Sequence, residues 1–132
     1  MLKTSLPPEE VSPGWTPGTA RELARCVRRS YRLQLLRPGQ PCLLWLSGRD
    51  DPGVHAVGEI TAGVHEDDGG GPAVTVRLTL LADPVPRGAL LAAPAARDAE
   101  VLRMPFGSNP SWLSPAQFAA VRALLPTAGL PG

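Results

Sequence analysis

The stretch Gln40-Pro-Cys-Leu-Leu-Trp45-Leu-Ser-Gly-Arg-Asp50-Asp-Pro-Gly-Val-His55-Ala-Val-Gly-Glu-Ile60-Thr decides how the chain is read. Cys42 to Leu46 is an unbroken apolar run with turn signals on both sides. Val54, Ala56 and Ile60 form a second run, partly alternating with His55 and Glu59. Between them, Ser-Gly-Arg-Asp-Asp-Pro-Gly is a connection, so the stretch predicts strand, loop, strand. Trp45 has two readings that the residues leave open. It is a core tryptophan, or it walls a pocket at the end of its strand. A polar neighbour such as Ser47 suits both, because a buried indole N–H seeks a partner.

Downstream, Gly63 to Pro72 is a glycine- and acid-rich loop. Ala73 to Leu81 follows as the best strand pattern in the chain, with Val74, Val76, Leu78 and Leu80 alternating with Thr75, Arg77 and Thr79. Pro84 and Pro86 end that run. A short helix carrying Leu90 and Leu91 is expected from Arg87 to Ala93, and a further strand from Glu100 to Met104. The last helix begins after Ser114. Pro115 suits the first helical position, and Ser114 with Gln117 has capping-box spacing. Phe118, Val121, Leu124 and Leu125 form its packing stripe, and Pro126 stops it.

Upstream, residues 1–18 are broken by Pro7-Pro8, Pro13-Gly14 and Pro17-Gly18. They are expected as a loosely held arm with Trp15 tucked against the body. Thr19 and Glu22 also have capping-box spacing, and Ala20, Leu23, Ala24 and Val27 form a stripe, so a helix is expected from Thr19 to about Arg29. These boundaries give an arm over 1–18, one domain over 19–126 and a flexible tail over 127–132. The 132 residues, 43% of them hydrophobic, suffice for one core, while 16 prolines and 14 glycines argue for short elements. The summed pattern is α+β: a small curved sheet or barrel with helices at its ends.

No apolar run approaches the roughly 20 residues of a membrane helix, and no signal-peptide core opens the chain, so a cytoplasmic location without membrane attachment is expected. Cys26 and Cys42 read as buried thiols. Net charge is only +1, yet Arg21, Arg25, Arg28, Arg29, Arg32, Arg37 and Arg49 are opposed by Glu22 alone between residues 21 and 49. Such a segment reads either as a solvated helix face or as a phosphate-facing surface, with Arg28, Arg29, Arg32 and Arg49 as the contacts.

Catalytic chemistry finds little support. No Gly-x-Ser-x-Gly elbow places a nucleophile beside His55 or His65. Asp50-Asp51 and Glu66-Asp67-Asp68 are turn-forming acids, and Gly69-Gly70-Gly71 lacks the Lys-Ser/Thr of a phosphate loop. No catalytic residue, metal ligand or cofactor is assigned. What remains is the pattern of a binding module: Tyr31, Trp45, Phe106 and Trp112 near strand ends and loops, where bases stack for about 1–3 kcal/mol each.

Tyr31-Arg-Leu-x-Leu-Leu-Arg-Pro-Gly-Gln-Pro, Leu44-Trp-Leu-Ser-Gly, Pro52-Gly-Val-His-Ala-Val-Gly-Glu-Ile-Thr and Glu100-Val-Leu-Arg-Met-Pro-Phe-Gly-Ser-Asn-Pro-Ser-Trp-Leu-Ser stand in one order and spacing. In this the chain resembles the EVE domain family of the PUA-like superfamily, related to the YTH and ASCH domains, over most of residues 26–125. The resemblance implies a pseudo-barrel of about five or six mostly antiparallel strands with flanking helices. It also implies a non-catalytic pocket for a flipped, modified nucleobase in DNA or RNA, sandwiched by aromatic side chains. Carried onto this chain, the pocket is Ser30, Tyr31, Arg32, Trp45, Ser47, Gly107, Ser108, Asn109, Pro110 and Ser111. The family opens on a strand bearing an aromatic residue, which residues 1–18 lack, so the first strand is expected to be missing or atypical. Two other readings stand beside this one. The first is a PUA-like scaffold with a degenerate pocket, forming a homodimer through an open sheet edge. The second is an RNA-processing enzyme, as some ASCH relatives are.

Overall fold

The alternation of apolar and polar residues from Val74 to Leu80 suits a strand, whose successive side chains point to opposite faces. A computed structural model describes residues 1–27, 35–48, 51–66, 71–103 and 112–125. In chain order the elements are β1 (Leu2–Thr4), α1 (Pro8–Val11), β2 (Ala20–Cys26), β3 (Pro41–Leu46), β4 (Gly53–Glu66), β5 (Pro72–Pro86), α2 (Arg87–Ala92), α3 (Glu100–Arg103) and α4 (Pro115–Leu124). The five strands form one sheet in the order β1-β3-β4-β5-β2. β1 runs parallel to β3, and every other pairing is antiparallel. The sheet curls into a half-barrel. Register shifts at Leu44/Trp45, Val54/Ala56 and Ile60/Ala62 supply the bends, since a bulge locally raises strand twist.

Both faces of the central strands are buried. On one face Leu43, Trp45, Val57, Leu81 and Val85 pack under Leu90, Val101, Leu102, Val121 and Leu125. This helix face carries α2, α3 and α4. On the opposite face Leu44, Ala56, Ile60, Val74, Val76 and Leu78 pack with Leu2, Trp15 and Val27, and Leu23 and Leu36 close over them. The strand–loop–strand expected at Gln40–Thr61, the Ala73–Leu81 strand and the helix from Arg87 all form, although β4 and β5 run several residues further than their apolar patterns. α4 starts where Ser114 sets it: Ser114 Oγ accepts the Gln117 amide at 3.1 Å and Gln117 Oε1 accepts the Ser114 amide at 2.9 Å.

Four expectations are corrected. Cys26, read as a buried thiol, is exposed on β2, whereas Cys42 is buried. Residues 20–26 form a strand and not a helix. Seven residues pair with β5 from Ala20↔Thr79 to Cys26↔Ala73. An isolated helix of about ten residues is marginal in water, whereas the open edge of β5 offers a full ladder of hydrogen bonds. The Thr19–Glu22 capping box is accordingly absent: Thr19 Oγ1 lies 2.8 Å from Thr16 Oγ1, and Glu22 meets Arg77 at 3.6 Å. Residues 100–103 are a single helical turn and not a strand, which lets adjacent Val101 and Leu102 both enter the core. The start of the chain is not loosely held: Leu2–Thr4 is the first strand, short but paired. Trp15 tucks against the body as expected, 3% exposed with its indole N–H donating to the Thr19 carbonyl at 2.8 Å.

Candidate nucleic-acid interface

Polar side chains buried in a sheet are costly unless they are held, so their positions mark where the fold is under a demand other than packing. Among the described residues the buried polar and charged side chains are Lys3, Thr4, Ser47 and His55. All four lie around the same end of the β1–β3–β4 unit. Thr4 pairs with Leu46 in the parallel register, its carbonyl accepts the Ser47 amide at 2.8 Å, and its Oγ1 accepts the Leu6 amide at 3.1 Å. Lys3 stands opposite Trp45. His55 Nε2 lies 2.7 Å from the Asp51 carbonyl. A carbonyl only accepts, so Nε2 carries the proton and the ring ties Asp51 to β4. Asp51 at φ 48° and Gly48 at φ 134° both adopt positive-φ backbone.

The sequence-predicted residues divide in two. Ser47 is buried at that end of the unit. Trp45 is 0% exposed, packed on the helix face in the cluster that includes Val54, and among the described residues its Nε1 has no hydrogen-bond partner. Cross-strand pairing explains this, because Trp45 faces the same side as Val54 and that side is roofed by helices. Ser30, Tyr31, Arg32, Gly107, Ser108, Asn109, Pro110 and Ser111 lie outside the described residues, as do Arg28, Arg29 and Arg49. The residues that the sequence reading missed are Lys3, Thr4 and His55. The position of Lys3 and Thr4 depends on a three-residue parallel pairing that leaves no periodic trace.

At the other end of β3 are two cavities. One, of about 240 Å³, is lined mainly by apolar groups, among them Leu2, Cys42, Ile60, Val74, Trp112 and Phe118. Burial pushes the Cys42 thiol up, so that it stays protonated there. The second, of about 310 Å³, lies over the outer row of β4 and β5 and is lined by Glu59, Arg77, Thr79 and, from α4, Phe118, Arg122 and Leu125. Phe118 is a wall of both.

No protein-family model matches the sequence, and no curated protein matches it. Solved structures do. A hypothetical protein from Leishmania major superposes with a TM-score of 0.64 at 11% identity, over 93% of this chain and 90% of that one. A Pseudomonas putida protein solved by structural genomics gives 0.53 at 18% identity, over 78% and 85%. Human THYN1, in complex with DNA containing 5-methylcytosine, gives 0.56 at 13% identity, over 78% of each chain. The fold is PUA-like. Within this PUA-like frame the four buried polar residues lie at one end of the β1–β3–β4 unit. Among the described residues, no helix of the PUA-like domain is long and apolar enough to cross a membrane.

Proposed function

We propose that this protein is a non-catalytic nucleic-acid-binding module that reads a modified, flipped base. The observation that supports this reading most is the likeness in fold to human THYN1, whose structure was solved on 5-methylcytosine DNA. Thr4, Ser47 and His55, buried polar residues at one end of the β1–β3–β4 unit, suit this reading, since reading a base edge requires donors and acceptors. Ser30, Tyr31, Arg32 and the 107–111 loop complete the pocket in this reading, and Arg28, Arg29 and Arg49 contact phosphates. A cytoplasmic protein meeting DNA or RNA fits the composition.

The test is a titration of the protein with oligonucleotides that differ by one 5-methylcytosine, at two salt concentrations. The expected result is tighter binding to the modified strand and a steep loss of affinity with salt. Tyr31→Ala should abolish the preference for the modified strand. Absence of binding to every oligonucleotide would end this reading. Among the described residues β2 is an edge strand, which supports a second one, a scaffold that dimerises strand to strand. A monomer by light scattering, across the concentrations used for binding, would exclude it.

A further inference from the structure

β2 is an edge strand, and its pairing with β5 sorts its side chains by face. Leu23 stands opposite Val76, and both belong to the core on the face away from the helices. The two-residue period therefore turns Arg21 and Arg25, opposite Leu78 and Val74, onto that same face. Glu22 points the other way, to Arg77 at 3.6 Å. The acid of β2 is thus separated by the sheet from the two arginines beside it in sequence.

The two arginines are not equivalent. Arg21 donates from Nη2 to the Gly14 carbonyl at 3.1 Å and so helps to hold the segment that carries Trp15. Arg25 is half-buried and, among the described residues, has neither a hydrogen-bond nor an ion-pair partner. Its Nε is shut off from solvent and unpaired, so the stem lies packed on the sheet while the terminal Nη groups remain the exposed part. Holding a cation half-desolvated without a counter-ion costs stability, and the fold gains nothing from it that an apolar residue would not supply. Cross-strand neighbours have Cβ atoms about 5 Å apart, which sets Arg25 beside Val74, a wall of the 240 Å³ cavity.

We propose that Arg25 is a binding residue for the phosphodiester backbone of nucleic acid, its Nη groups holding one phosphate beside that cavity. This rests on the nucleic-acid reading above and adds a contact on a face that the helix expected at 19–29 did not define. A planar guanidinium with two free Nη groups matches two phosphate oxygens, and a phosphate supplies the counter-charge that the fold omits.

The experiment compares wild type, Arg25→Gln, Arg25→Lys and Arg97→Gln, the last an exposed arginine beyond α2 as a control for net charge. Each is titrated with modified and unmodified oligonucleotides from about 50 to 200 mM salt, with melting temperature and light scattering measured in parallel. Arg25→Gln is expected to weaken binding to both oligonucleotides alike and to make the slope of log affinity on log salt shallower by about 0.9, one phosphate contact. Its melting temperature should stay level or rise, Arg25→Lys should restore most of the slope, and Arg97→Gln should leave it unchanged. If wild type binds and Arg25→Gln keeps the same slope, the proposal is overturned and the nucleic-acid reading stands. If Arg25→Gln instead self-associates with binding unchanged, the residue only guards the sheet edge, which also overturns the proposal. Failure of wild type to bind any oligonucleotide removes both.

Discussion

Trp45 shows how a single residue changes meaning between sequence and structure. Its apolar neighbours do not distinguish a core position from a pocket wall, and only the helices over Val54 and Leu43 settle that it is core. Its unpaired N–H makes the indole more costly than a ring of similar size. Trp45→Phe is therefore expected to cost no more than about 1 kcal/mol in a urea denaturation, against about 3–5 for Trp45→Ala. A loss for Phe as large as that for Ala would show that the N–H is satisfied. Cys42 gives a pH signature. Burial raises its folded-state pKa, so its contribution to stability is full below the unfolded thiol range of about 8.5 and is lost as the pH rises beyond it. Urea midpoints from pH 7 to 10 should fall more steeply for wild type than for Cys42→Ala. Parallel curves would show that the thiol ionises alike in both states.

At the scale of elements, β2 is where local pattern and tertiary demand part. Ala20, Leu23, Ala24 and Val27 satisfy a helical stripe, but Leu23 also satisfies a strand that buries alternate residues, and β5 has an edge to fill. Ala24 is exposed and pairs with Thr75. Ala24→Thr should raise stability by about 0.2–1 kcal/mol through a cross-strand Thr–Thr pair, whereas in a helix the same change would lower it by several tenths. Thermal melts thus read the element from the sign alone. The β4–β5 hairpin has a second test. At Gly58 a Cβ would collide with the Arg77 carbonyl across the ladder, so Gly58→Ala should cost about 1–3 kcal/mol. A neutral result would mean that the two strands are further apart than the ladder requires. α4, by contrast, was legible in full at its start, because Ser114, Pro115 and Gln117 act within one turn.

For the molecule as a whole, β1 closes one edge of the sheet with three residues and buries Lys3 and Thr4 beside β3. Removing residues 1–6 should lower the melting temperature and expose the β3 edge to association, seen as concentration-dependent light scattering. A monomer that melts as the intact chain does would show that β1 is dispensable. Part of this was determined by sequence alone: the strand–loop–strand unit, the long alternating strand, the helix after Ser114 and, by the resemblance they carry together, a PUA-like frame. Those signals are local, since a two-residue alternation or a cap needs only neighbours in the chain. Tertiary structure alone decided that residues 20–26 are a strand, that Leu2–Thr4 pairs at all, and that Trp45 faces the helices. It also turned Arg25 onto the face opposite Glu22, where among the described residues it has no ion-pair partner. Each of these depends on hydrogen bonds or burial supplied by residues at least twenty positions away, and no short window of sequence holds both partners.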